Sequence, residues 1–415
     1  MAEMLEVRKG ILHCEGCSLK QLAKEVGTPL YVYSRNALVE NFKKFDTAFA
    51  KVPHLVCFAV KANSNLSLLK LFRDLGSGFD IVSGGELFRA RQVAVDPQKV
   101  VFSGVGKKNA EIDYALNSNI LLFNVESMAE LDAIAARCKF LNIKARVAFR
   151  INPDIDPGTH PHISTGQQQH KFGIAIEEAL PIYQHAVSLD LVEPVGISCH
   201  IGSQVTNLKP FCDAAERVLK LVNVLSSAGI ALKYINLGGG LGIRYDQETP
   251  PTVSEYARAL GPFLAGRYET LILEPGRILA ANAGLLLTEV LYLKQSQGRQ
   301  FVVVDAGMND LLRPGLYGAH HDIFPVEVAE RERFIADVVG PVCETTDYLA
   351  RDRELPQVQR SDILAIKDTG AYGFTLSSNY NSRPRPAEVL VDGQTYKIVR
   401  KRESYEELVR GEKGF

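Results

Sequence analysis

Several things are scarce in this chain of 415 residues, and each scarcity removes a class of function. There is no excess of charge of either sign, since 47 lysines and arginines face 48 aspartates and glutamates. Without a one-signed field, neither nucleic acid nor an anionic membrane surface is implied, and a small molecule is the plainest partner. No apolar run reaches the roughly 18 residues of a membrane span. The opening MAEMLEVRKG carries charges where a signal peptide has its apolar core, so a cytoplasmic protein is expected. Cysteines number seven, odd and scattered, which argues for reduced thiols rather than a disulfide framework. Cys14 and Cys17 have CxxC spacing beside His13. No second pair completes a zinc site and no βαβ pattern flanks them for redox chemistry, so they read as free thiols in a turn. Internal repeats and low-complexity tracts are also lacking.

What is present is length and apolar content (46%), enough for two domains with large cores. Over residues 36–285 short β-branched runs alternate with segments of helical period. The runs are LVCFAV (55–60), FDIV (79–82), VVFS (100–103), ILLFN (120–124), ARVAFRI (145–151), VGISCH (195–200), YINLG (234–238) and LILE (271–274). Between them, segments such as ESMAELDAIAARCKF (126–140) place apolar residues at i, i+3, i+4 and i+7. The rhythm predicts an α/β fold, a (β/α)8 barrel, with a doubly wound open sheet as the alternative of the same alternation. From 286 to 415 strand-like runs follow at short spacing with Gly, Pro and Asp between them, predicting an all-β C-terminal domain. The N-terminal segment 1–35, ending in LYVYS (30–34), is expected to join those strands. The charged tail KRESYEELVRGEKGF reads as a final solvated helix.

In such a barrel the chemistry gathers where the strands end. Lys61 closes the first run within FAVKAN; directly after apolar residues, its ammonium is disfavoured and its amine suits Schiff-base chemistry. Taken alone, it equally fits a lysine snorkelling from a strand end. His200, in CHIGSQ (199–204), is by itself compatible with a satisfied core histidine. LGGGLG (237–242) lets backbone N–H groups approach an anion, and we expect it at the start of a helix. A plain tight turn is its other reading. It is not GxGxxG and no Walker lysine exists, so a nucleotide is not expected. EPGR (274–277) brings Glu274 and Arg277 together after the eighth run, as chemistry or as a structural salt bridge. Jointly these ends supply an amine, an imidazole, an anion cradle and a carboxylate.

FAVKAN, CHIGSQ, LGGGLG and EPGR, in this order, resemble the fold-type III decarboxylases that depend on pyridoxal 5′-phosphate (PLP) and their barrel-only relatives. The resemblance runs from GTPLYVYS (27–34) to SSNYNSRPRPAEVLVDG (377–393). It implies that Lys61 binds the cofactor covalently and His200 stacks on its ring. Gly240 and its neighbours Gly238 and Gly239, with Ser203 and Tyr372, are implied to bind the phosphate, Gly276 and Asp80 to contact the cofactor, and Glu274 to pair with the ring nitrogen. A carboxylate there keeps the nitrogen protonated, so that the ring accepts electrons as the Cα–carboxylate bond breaks.

Within the family, RPGLYG (313–318), GPVCETTD (340–347), DTGAYG (368–373) and SSNYN (377–381) resemble the diaminopimelate branch. That resemblance implies a carbon–carbon lyase converting meso-2,6-diaminopimelate to L-lysine and CO2, the last step of lysine biosynthesis. Arg277, Arg313 and Tyr317 would hold the distal carboxylate of the substrate, and the planar fork of arginine suits that task. Glu344 would receive the distal ammonium, with Tyr372 beside the substrate. Cys343 would protonate the α-carbon from the partner subunit of a homodimer. Ornithine, arginine, lysine or carboxynorspermidine decarboxylation, and a non-catalytic decarboxylase-like regulator, are the alternatives. Joint retention of Lys61, Glu274 and Cys343 speaks against the regulator. Asp80, in FDIVSGGE, is expected either to orient a group near Lys61 or to cap a turn. His160 and His162 lack the further ligands of a metal site and read as part of a substrate loop. HKFGI (170–174), with Gly173 ending a turn, matches the family and is compatible with packing alone.

Overall fold

The computed structural model describes residues 4–156, 158 and 171–414, and the chain divides into two compact units. One comprises Phe42–Ile243 and Thr249–Ile278; the other comprises Met1–Asn41, Arg244–Glu248 and Leu279–Phe415.

The first unit is a closed barrel. Its parallel strands are His54–Ala59, Gly78–Ile81, Val100–Phe102, Leu122–Val125, Ala145–Asn152, Val192–Ser198, Tyr234–Asn236 and Thr270–Leu273, and each pairs with the next. The eighth returns to the first through Leu271↔His54, Ile272↔Leu55 and Leu273↔Val56, which excludes the open doubly wound sheet. Every one of the eight apolar runs overlaps a strand. They are unbroken runs rather than alternating ones because both faces are covered: Gly78–Ile81, Val100–Phe102 and Leu122–Val125 are buried at every position. Parallel neighbours need crossovers, and helices supply them. Local chemistry sets where these start: Ser83 accepts from the Glu86 N–H, Ser127 from that of Glu130, and Thr252 forms a capping box with Glu255. Aromatic pairs fill the space between layers, among them Phe58 stacked on Phe72 with ring centroids 4.2 Å apart and Phe149 edge-on to Tyr183 at 4.7 Å. The buried Tyr183 hydroxyl donates to the Gly196 carbonyl at 2.7 Å, so its burial strands no polar group.

The second unit is mostly β. Its main sheet runs Tyr348–Pro356, Arg333–Val339, Arg299–Val304, Gly284–Ser296, Leu30–Ser34, Ala387–Asp392, Thr395–Arg400, with Ile363–Ile366 paired to Gly284–Ser296 and Ile323–Pro325 beside it. LYVYS does join this sheet: Leu30–Ser34 lies antiparallel to Gly284–Ser296 and parallel to Ala387–Asp392. Its two tyrosines are buried with their hydroxyls donating to the Asp310 carbonyl (2.6 Å) and to Glu388 Oε1 (2.7 Å). The strand Tyr348–Pro356 escaped sequence reading, because its charged residues hide the apolar pattern; it is an edge strand, where charge discourages pairing with other chains. Cys14 and Cys17 face each other across a short hairpin and are buried in an apolar cluster with Leu19, Leu22, Val32 and Leu285, both as free thiols. Burial pushes the Cys14 thiol well above its ordinary pKa, so it stays protonated and inert. The charged tail forms one helical turn, Tyr405–Leu408, capped by Ser404 and Glu407.

Because Phe58 is fully buried on the first barrel strand, Phe58→Ala should destabilise the barrel by about 3–5 kcal/mol. Truncating the exposed Tyr268 should stay within about 0.5 kcal/mol. Urea unfolding midpoints of the two variants check the contrast.

Candidate active site

The C-terminal ends of the barrel strands bring most of the expected residues together. Lys61 sits on the single turn Val60–Ala62 that follows the first strand, and its Nζ donates to Asp80 Oδ2 at 3.0 Å. Asp80 lies inside the second strand, in register with Ala59, and is fully buried; it is an ion-pair partner and not a turn cap. Its other oxygen, Oδ1, has no hydrogen-bond partner among the described residues. Lys61 keeps 39% of its side chain exposed while its amine is paired with a buried carboxylate. Glu86 lies nearby. Burial pushes its carboxyl up to about 7, opposed by the Val82 N–H that donates to Oε2 at 2.7 Å.

His200 follows the sixth strand and accepts the Gly239 N–H at Nδ1, 3.3 Å away, which leaves its proton on Nε2. Burial, then the positive charges of Arg150 and Lys61, hold its pKa well below the ordinary histidine range. The ring is therefore a neutral, flat surface near neutral pH. The glycine loop that bonds to it obeys steric necessity. A Cβ on Gly239 would stand 2.2 Å from the Glu274 carbonyl oxygen, and one on Gly240, at φ +107°, 2.3 Å from that of Gly202. One expectation is corrected here. The loop does not open a helix, since the next helix is Val253–Leu264; any anion it holds is met by loop N–H groups and not by a helix dipole. A long loop intervenes after the seventh strand, which glycine content alone could not reveal.

Glu274 follows the eighth strand and is buried; its N–H donates to the Gly238 carbonyl at 2.7 Å. Two amides donate to its Oε1, Asn124 Nδ2 at 3.2 Å and Asn236 Nδ2 at 2.5 Å. Burial and the Asp80 charge push its pKa up, opposed by Lys61, Asn236 and Arg150. Gly276 is buried beside it, and Arg277 donates to Ser203 Oγ at 3.0 Å, which links the eighth strand's end to the loop after the sixth.

Sequence reading missed Arg150, Glu126, Asn124 and Asn236. Arg150, inside the fifth strand, pairs with Glu126 Oε1 at 2.9 Å and lies over the Phe172 ring at 4.7 Å. Gly173 donates its N–H to Glu126 Oε2 at 2.8 Å, so the FGI segment anchors this pair. Only part of the signal was available: Asn124 closes the run ILLFN and Glu126 lies two residues past it, whereas Arg150 and Asn236 lie inside the runs ARVAFRI and YINLG. His160, His162 and His170 lie outside the described residues.

The mostly β unit holds the remaining candidates. Arg313 is buried on the short helix Arg313–Tyr317, donates to His321 Nε2 at 2.9 Å and lies over the Tyr245 ring at 4.4 Å. An arginine cannot accept, so His321 is protonated at Nδ1, which donates to the Lys367 carbonyl at 2.7 Å. Tyr317 is half-buried on the same helix. Cys343 and Glu344 are exposed on a loop that Asp347 ties down by accepting the Met308 and Val342 N–H groups at 2.6 and 2.5 Å. Asn381 Oδ1 accepts the Cys343 N–H at 2.9 Å. Tyr372 is half-buried with φ +57°, a left-handed conformation unusual for an aromatic residue.

The glycines allow a direct test. Gly239→Ala, meeting backbone at 2.2 Å, should destabilise the barrel and disrupt the loop. Gly261→Ala, in open space within the helix Val253–Leu264, should stabilise it by about 0.5–1 kcal/mol. Thermal melting of both variants checks the opposite signs.

An amine beside a buried carboxylate, a neutral imidazole face, a backbone cradle that any side chain would fill and a buried carboxylate fit PLP piece by piece. Comparison with known proteins agrees. Residues 35–281 match the family described as pyridoxal-dependent decarboxylase, pyridoxal binding domain. The diaminopimelate decarboxylase of Aquifex aeolicus is 50% identical over 406 residues, covering 98% of this chain and 96% of that protein. The crystal structure of diaminopimelate decarboxylase from Helicobacter pylori complexed with L-lysine superposes with a TM-score of 0.91 at 43% identity, over 94% of this chain and 98% of that one. That of the M. jannaschii enzyme in co-complex with L-lysine gives 0.93 at 40%, over 98% and 96%. This chain belongs to the pyridoxal-dependent decarboxylases, in their diaminopimelate decarboxylase family.

Proposed function

We propose that this chain is a carbon–carbon lyase that decarboxylates meso-2,6-diaminopimelate to L-lysine and CO2, the closing step of lysine biosynthesis. One observation carries the reading: relatives named diaminopimelate decarboxylase match at about half identity over nearly the full length. Bound at the barrel mouth, PLP supplies the electron sink for the pair released when the Cα–carboxylate bond breaks. The chain's own residues do the rest. Lys61 provides the amine that fastens the cofactor, and Asp80 orients it across 3.0 Å. His200, kept neutral, lies against the ring without repelling its protonated nitrogen. Loop N–H groups of Gly238, Gly239 and Gly240, with Ser203 and Tyr372, hold the phosphate, and Gly276 also contacts the cofactor. Glu274 keeps the ring nitrogen protonated. Arg277, Arg313 and Tyr317 hold the substrate's distal carboxylate and Glu344 its distal ammonium, with Tyr372 also contacting the substrate.

The protonation of the α-carbon belongs to Cys343, and we assign it to the active site of a second copy in a homodimer. The support is exposure: Cys343 and Glu344 both face outward on a pinned loop, ready for another surface. A thiol carries a proton that it can give up to carbon, which is the chemistry this role requires. A cytoplasmic location suits the seven free thiols, and no helix among the described residues is long and apolar enough to cross a membrane.

Incubation with PLP and meso-diaminopimelate should release L-lysine and CO2; faster turnover of ornithine, arginine, lysine or carboxynorspermidine would overturn the substrate assignment. Borohydride should fix the cofactor on the peptide containing Lys61. Arg313→Lys should raise KM strongly, because an ammonium keeps the charge but not the two-pronged fork. Mixing inactive Lys61→Ala and Cys343→Ala proteins under subunit exchange makes half the dimers mixed, each with one intact site. About a quarter of wild-type activity should return, assuming independent sites. No recovery after demonstrated exchange would place Cys343 outside the partner's site.

A further inference from the structure

Two buried asparagines stand where strand propensity disfavours them. Asn124 is in the fourth barrel strand and Asn236 ends the seventh, at 1% and 0% exposure. Burying an amide is costly unless its hydrogen bonds are made, so the bonds these residues make are informative. Both donate to the same atom, Glu274 Oε1, at 3.2 and 2.5 Å. They come from far apart: in the strand order the fourth strand stands opposite the eighth, whose end carries Glu274, while the seventh is the eighth's neighbour. Asn124 also donates to Ser103 Oγ at 2.9 Å, and Asn236 Oδ1 accepts the Gly238 N–H at 2.8 Å.

We propose that Asn124 and Asn236 are positioning residues that act through Glu274, fixing Oε1 with two amide donors so that an ionised carboxylate presents Oε2 to the cofactor's ring nitrogen. The inference rests on the reading of Glu274 as the partner of that nitrogen. An N–H donor favours the anion over the neutral acid, and this carboxylate needs the help. Facing it are Asp80 from the second strand, which opposes ionisation, and Lys61 after the first and Arg150 from the fifth, which favour it. The thiols of Cys57 and Cys199 also feel its charge and are themselves kept protonated by burial. Asn236 has a second office. By accepting from Gly238 while donating to Glu274, it locks the carboxylate to the glycine loop, so that the ring-nitrogen end and the phosphate end of the site share one residue.

The test uses holoenzyme carrying Asn124→Leu, Asn236→Leu or Asn124→Asp, with Glu274→Gln as reference. It measures kcat and KM across pH, the pH titration of the cofactor's visible absorbance, the cofactor's Kd and the melting temperature. Loss of one donor raises the pKa of Glu274, so activity should fail at a higher pH on the acid side and the absorbance titration should move the same way. Each leucine variant should lower kcat by roughly tenfold to a hundredfold and weaken cofactor binding, with KM changing less than about threefold. Asn124→Asp should move the acid limb further, since two facing carboxyls share a proton. A wild-type pH profile and absorbance titration accompanied only by a lower melting temperature would show the asparagines to be structural and overturn the proposal. If Asn236→Leu fails to fold because the Gly238 bond is lost, Asn124→Leu, which leaves that bond intact, decides alone. A wild-type spectrum and rate for Glu274→Gln would instead overturn the reading of Glu274 itself.

Discussion

Everything at the site depends on the eighth barrel strand closing onto the first. Three register pairs, from Leu271↔His54 to Leu273↔Val56, make that seam, and the Ala59 N–H continues it by donating to the Pro275 carbonyl at 3.1 Å. The seam sets Lys61 and Glu274, more than two hundred residues apart in the chain, at the ends of adjacent strands. It also explains why the loop after the seventh strand must be glycine. The Glu274 carbonyl lies where a Gly239 side chain would begin, so loop and strand end approach as closely as bare backbone allows.

Closure creates an electrostatic problem that the mouth resolves with few charges. Asp80, Glu86 and Glu274 are carboxyls taken wholly or largely out of water, and burial pushes the latter two toward protonation. Lys61 and Arg150 are the cations that oppose this at Glu274, Lys61 and Arg89 at Glu86, and burial followed by the charges of Arg150 and Lys61 holds His200 in its neutral form. One arrangement of charge thus acts in two directions: it favours the ionised form of Glu274 and disfavours the protonated form of His200. Neutral donors finish the balance where further cations would overshoot it. Amides converge on Glu274, and a backbone N–H fills the His200 acceptor.

The mostly β unit follows another logic. Arg313 lies over an aromatic face and donates to a neutral histidine, which together hold its guanidinium in a fixed orientation. Cys343 is left exposed, on a loop whose backbone is pinned by Asp347 and Asn381.

The chain alone determined the eight apolar runs, the sheet partner class of LYVYS and the strand-end residues Lys61, His200 and Glu274, because burial on both faces of a parallel strand leaves a continuous apolar signature that polar residues interrupt visibly. It could not show that Asp80 was an ion-pair partner and not a cap, since both call for an aspartate near a turn. The strand Tyr348–Pro356 was hidden for a related reason: an edge strand carries charge to avoid unwanted pairing, and that charge erases its periodicity. Tertiary structure decided which polar strand ends meet. Asn124 looks like the ordinary end of the run ILLFN, and Asn236 like an interior residue of YINLG, until barrel closure brings them to one oxygen of Glu274, 150 and 38 residues away. The glycine loop's distance from the next helix, and the proton positions on His200 and His321, were likewise set by neighbours remote in sequence. Propensity and pattern act over a few residues, whereas charge balance in a closed, poorly solvated mouth is a property of all eight strand ends at once.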